Sequence, residues 1–118
     1  MRSEECEDIE KELINMEEQQ EEFKAVTNRM ISEEEDMRFQ NGQMIEMLKE
    51  GFPYASKDKE LQRLKNEQIE QYEQLIQAQN RFIEDSEEET KESKGIYARK
   101  EVELEEELRR IEERTGGG

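Results

Sequence analysis

Histidine is absent from all 118 residues, and that absence removes most familiar chemistry. Without it there is no Ser-His-Asp triad, no HExxH zinc site and no Glu-x-x-His di-iron pattern. The one cysteine, Cys6, allows neither an internal disulfide nor a thiolate zinc site within one chain. Cys6 lies in the first turns, expected to fray, among Glu4, Glu5, Glu7 and Asp8. Neighbouring carboxylates disfavour a thiolate, so an activated nucleophile is not expected there. Tryptophan is missing, aromatics are 6% and all apolar residues together 31%, so no broad core can form. No run approaches the roughly 20 apolar residues of a membrane span, which predicts no membrane insertion. The opening Met-Arg-Ser-Glu-Glu has no apolar stretch, which predicts no signal peptide. Cytoplasmic residence is expected, or export by a route that reads no such peptide. Phosphate-binding glycine motifs and EF-hand spacing are also missing. Neither an enzyme nor a cofactor is expected.

Charge is what the chain has in abundance: 44% of residues, with a net of −16. Residues 1–50 carry 16 acids against 6 bases, and residues 51–118 carry 18 against 12. Such a balance argues against nucleic acid, whose binding needs Lys and Arg on phosphates, and against anionic membranes. The acidic runs 33–36 and 84–89 point in several directions on a helix and do not converge on one metal ion. High charge with few apolar residues would suit disorder, but the apolar residues here are periodic. Glu, Lys, Gln, Arg, Met and Leu favour helix, and there is a single proline.

The periodicity is heptad-like. Ile9, Met16, Phe23, Met30, Met37 and Met44 form an apolar row. Between them Gln20, Thr27, Glu34 and Asn41 form a polar one. A sustained 3.5-residue repeat keeps one stripe against a neighbouring helix. A second row follows: Ile69, Ile76, Ile83, Thr90, Tyr97, Leu104 and Ile111, beside the more polar Tyr72, Gln79, Ser86, Ser93 and Lys100. Leu61, Leu64, Leu75, Phe82, Ile96 and Leu108 widen it.

One break separates the rows, at Gly51-Phe52-Pro53-Tyr54-Ala55-Ser56. Gly51 suits a left-handed residue after a helix, Pro53 stops the helix, and Ser56 suits an N-cap. The expected fold is therefore all-α: a long antiparallel two-helix hairpin, or coiled coil, over residues 1–114. Helix 1 should span about 4–49, the loop 50–56 and helix 2 about 57–114, with 115–118 a flexible tail. Helix 1 would be about 70 Å long at about 1.5 Å per residue. A loop centred near Pro53 and Tyr54 would place Met37 near Tyr72, Met30 near Gln79 and Phe23 near Ser86. Gly42 and Gly95 weaken their helices, and helix 2 is expected to bend or loosen between about 86 and 95.

Two helices alone leave apolar residues wet, among them Ile14, Val26, Ile31 and Ile45. The hairpin is therefore expected to complete a bundle, as a homo-oligomer or with a partner helix. The expected partner-binding residues are Met16, Phe23, Met30, Met37, Met44, Ile69, Ile76, Ile83, Tyr97 and Leu104. Methionine adapts to varied neighbours, whereas the polar row restricts register.

The length, the break at Gly51 to Ser56, and an acidic second helix with Asn80-Arg81-Phe82-Ile83-Glu84-Asp85 and Arg99-Lys100-Glu101 carry a resemblance covering nearly the whole chain. It resembles the WXG100-like hairpins of type VII secretion, and more closely the small helical accessory proteins that accompany LXG toxins in Gram-positive bacteria. The turn has Gly51-Phe52-Pro53 and no Trp-x-Gly, which fits an accessory subunit better than a secreted WXG100 protein. The resemblance implies a targeting chaperone that binds the helical N-terminal domain of an LXG toxin, with a second small helical accessory protein as a further partner. It also implies a Y-xxx-[D/E] export motif, which Tyr97 with Glu101 matches, as does Tyr54 with Asp58. Tyr97 equally continues the 69-to-111 row. Two other readings remain: a self-associating structural coiled coil or prefoldin-like scaffold, and a designed bundle. The short loop leaves no room for prefoldin strands, and the helix-interior glycines argue against design.

Overall fold

Ser3 starts the first helix. Its hydroxyl oxygen accepts from the backbone N–H of Cys6 at 3.2 Å, and its carbonyl accepts from Glu7 N–H at 3.2 Å. This is an N-cap, and Glu4, Glu5 and Glu7 add negative charge where the helix dipole is positive. The computed structural model describes residues 3–51 and 57–116. In it the chain forms α1, Glu4–Glu50, and α2, Lys59–Gly116, an all-α helical hairpin with no strand among the described residues.

Asp58 caps α2: its Oδ1 accepts from the N–H groups of Glu60 at 2.9 Å and Leu61 at 3.3 Å. The helix thus begins two residues later than the expected 57, and the cap is Asp58 where Ser56 was expected. Ser56, Pro53 and Tyr54 lie outside the described residues. Arg63 sits between Glu60 and Glu67 one turn either side. The Glu60 hydrogen bond, then the Glu67 charge, raise its guanidinium above the ordinary value. At the other end α2 continues past the expected 114, and the Thr115 hydroxyl donates to the Ile111 carbonyl at 2.9 Å. The helix does not loosen over 86–95, which is helical throughout. Glu, Lys and Arg on both sides of the apolar-poor stretch favour helix enough to carry it and Gly95.

Gly51 is a further correction. No described glycine has a positive φ, so Gly51 is not left-handed. Its N–H donates to the Met47 carbonyl at 2.7 Å, and a Cβ built on it would lie 2.5 Å from that oxygen. Glycine is needed there for close approach.

The chain divides into two units, each pairing a part of α1 with a part of α2: residues 1–27 with 88–118, and residues 28–87. The first unit's core is Cys6, Ile9 and Ile111, with Leu13, Leu104 and Leu108 packed on it. Cys6 is the most enclosed side chain, 2% exposed, so it belongs to a core and not to a frayed end. The second unit's buried residues are Ile45, Leu48, Gln79 and Ile83. Here Asn41 Nδ2 donates to Gln79 Oε1 at 3.2 Å, Arg38 Nη1 donates to Asn80 Oδ1 at 2.7 Å, and Lys65 Nζ donates to the last-turn carbonyl of Lys49 at 3.3 Å.

Those pairs overturn the expected register. Gln79 faces Asn41 and not Met30. The hairpin is not centred on Pro53: Asn41 meets Gln79, Arg38 meets Asn80 and Lys49 meets Lys65. Leu61 and Leu64 are exposed. The pairing follows the amide–amide match and the burial of Ile45 and Leu48, which decide it more strongly than loop symmetry.

Candidate helix-docking surfaces

The faces left for a partner follow from which rows the hairpin uses itself. In α1 the row Cys6, Leu13, Gln20, Thr27, Glu34, Asn41 and Leu48 is buried or half-buried along its whole length. Four of these seven are polar. Its companion changes along the helix. Near the N-terminus it is the residue three later, Ile9 and Met16; beyond, it is the residue four later, Ile31, Arg38 and Ile45. A straight α-helix drifts about 20° per heptad against a 3.5 repeat, so one pair of rows cannot face a neighbour over 47 residues without supercoiling. Changing the companion row re-centres the contact.

The consequence is that most of the apolar row turns outward. Met16 is half-buried, but Phe23, Met30, Met37 and Met44 are exposed. The expectation that this row forms the intramolecular seam is therefore corrected beyond Met16, and Ile31 and Ile45, expected to be wet, lie within the seam. A 3.6-residue reading in place of the heptad would have moved them there.

In α2 the expected row does face α1 within each unit. Ile83 and Ile111 are buried, and Ile69, Ile76, Thr90, Tyr97 and Leu104 half-buried. Its companion also changes, from Tyr72, Gln79, Ser86 and Ser93 to Glu101 and Leu108. Tyr97 and Glu101, the candidate export pair, are thus both half-buried positions of the α1-facing surface. Outside that surface Leu75, Phe82 and Ile96 are exposed at seven-residue multiples, with Val102 beyond them.

In the first unit these outward rows border an open groove of ≈ 780 Å³. Met16 and Phe23 from α1 and Ile96, Tyr97 and Leu104 from α2 supply its apolar wall. Five carboxylates line it too, Glu12 on α1 and Glu89, Glu92, Glu103 and Glu107 on α2, with Lys100 as the one basic residue. In the second unit a shallow apolar patch surrounds Gly42, bordered by Phe39 and Met47, which are 66% and 62% exposed. Both were missed from sequence because they fall outside either heptad row. Phe39 and Met47 are eight apart, a helical-face spacing that could have flagged them.

Among the described residues no group of three or more Cys, Asp or Glu is arranged to hold a metal ion, and no helix is long and apolar enough to cross a membrane. The groove and the exposed rows can hold another apolar surface. No protein-family model, no curated protein and no solved structure matches the chain.

Proposed function

We propose that this chain is a non-enzymatic helical adaptor that binds another helical protein, as a targeting chaperone for the N-terminal domain of an LXG toxin in type VII secretion. The observation that carries the binding is the apolar surface left in water. Cys6, Ile9, Ile45, Leu48, Ile83 and Ile111 are the buried apolar residues, whereas fourteen large apolar side chains are exposed among the described residues. Exposed apolar stripes of this kind mark protein contacts. Each would gain about 25 cal/mol per Å² on burial against a partner. The toxin as partner rests on the resemblance in length, turn and acidic second helix.

The α1 row from Phe23 to Met44 is the partner-facing set, since its substitution leaves the buried seam alone. Met30→Glu should keep the helicity and melting behaviour of the free chain and abolish co-purification with a toxin N-terminal domain. Ile83→Lys should instead unfold the second unit, because Ile83 is buried. Normal capture of the domain by Met30→Glu, Met37→Glu would sink this reading. The second reading is a self-associating coiled coil, favoured by the same exposed rows. It requires a discrete homo-oligomer by light scattering at micromolar concentration with no partner present.

A further inference from the structure

The first unit's groove is sided in both shape and charge, and that narrows what can fill it. Met16, Phe23 and Leu104 offer an apolar floor, and Ile96, 47% exposed, stands at its α2 edge. Glu12 on one helix and Glu89, Glu92, Glu103 and Glu107 on the other line it as exposed residues, against the single base Lys100. We infer that this groove docks an amphipathic helix whose apolar stripe is flanked on both sides by Lys and Arg, completing a three-helix unit. The inference rests on the adaptor reading and gives the partner's chemistry at one site.

A third helix laid between two others buries its apolar stripe in the groove and brings its flanking residues over the margins. Lys and Arg suit those flanking positions doubly. Their aliphatic stems cover the exposed parts of Phe23 and Ile96, and their charged heads reach the marginal carboxylates. Acidic flanks would meet five carboxylates and one lysine. A second copy of this chain is disfavoured for that reason, since it brings its own net charge of −16.

The test uses the full chain and two synthetic helical peptides. Both carry the same Leu/Ile stripe at three- and four-residue spacing; one has Lys and the other Glu at the flanking positions. Titration calorimetry should show binding of the Lys peptide, weakened about tenfold or more by Ile96→Arg, as loss of a central apolar contact does. Phe39→Arg, in the other unit, should leave it unchanged. Glu92→Lys with Glu103→Lys should transfer binding to the Glu peptide, a gain that misfolding cannot imitate. Equal affinity for both peptides, or indifference to Ile96→Arg, would overturn the inference. So would homodimerisation without peptide that Ile96→Arg abolishes. Capture of the toxin domain by Ile96→Arg as by the unmodified chain would remove the groove while leaving the adaptor reading standing. Binding of the Lys peptide without capture of the toxin domain would do the reverse.

Discussion

Three glycines differ in what a methyl group would meet. At Gly42 and Gly95, inside helices, an added Cβ has nothing within 4 Å. Gly42→Ala and Gly95→Ala should each raise unfolding free energy by about 1 kcal/mol through helix propensity alone. Gly51→Ala should lower it by about 1 kcal/mol or more, because the Met47 carbonyl occupies the space. Urea melts followed by circular dichroism separate the two signs. Cys6 is the other residue whose environment differs from its sequence neighbourhood. Acidic neighbours along the chain suggest an exposed turn, yet Ile9 and Ile111 enclose the thiol. Its role is packing, as expected of a small apolar side chain. Cys6→Ser should cost about 1–3 kcal/mol by burying a hydroxyl in that apolar cluster. The thiol of the unmodified protein should react with a disulfide reagent only as fast as the first unit opens.

At the scale of the helices, a polar pair defines the alignment. The Asn41 amide bonded to buried Gln79 is satisfied only when these two positions meet. Asn41→Ala leaves the Gln79 amide unpaired and should cost about 1–3 kcal/mol. The double substitution Asn41→Leu, Gln79→Leu should recover that loss and relax the alignment, as a buried polar residue in a coiled-coil seam otherwise specifies register. Spin-label distances across the second unit would broaden in the double variant and stay narrow in the unmodified chain. The helices themselves were legible: Gly51 and Pro53 mark the break, and the expected start at residue 4 matches the Ser3 cap. The α2 row from Ile69 to Ile111 was legible as well, because each of its positions is apolar or small and falls every seven residues. The α1 seam was not. Both rows fit a heptad seam in the sequence, but only the polar one, Gln20, Thr27, Glu34 and Asn41, is buried or half-buried along its length, while Phe23, Met30, Met37 and Met44 are exposed.

For the molecule as a whole, charge opposes compaction. With 34 acids against 18 bases, carboxylates crowd both helices. Screening should relieve that repulsion, so Tm should rise between about 0.02 M and about 0.5 M salt, where the Debye length falls to a few ångströms. A chain stabilised mainly by exposed ion pairs such as Arg63 with Glu67 would show a lower Tm instead. Differential scanning calorimetry at the two salt concentrations decides between them. On the proposed reading, the same charge suits a basic helix as the partner of the first unit's groove.

Composition and periodicity alone determine that this chain is helical, broken once near residue 51, and too poor in apolar residues to enclose a broad core. Those properties are local: propensity, proline and glycine chemistry and seven-residue spacing act within a few turns. Tertiary packing decided which row of α1 faces α2, where the two helices align, and hence which side chains remain for a partner. It does so because a straight helix rotates steadily against a heptad repeat, so the buried face depends on where along its length the neighbour lies. Phe23, Met30, Met37 and Met44 read in sequence as a core stripe, and only the position of α2 leaves them in water.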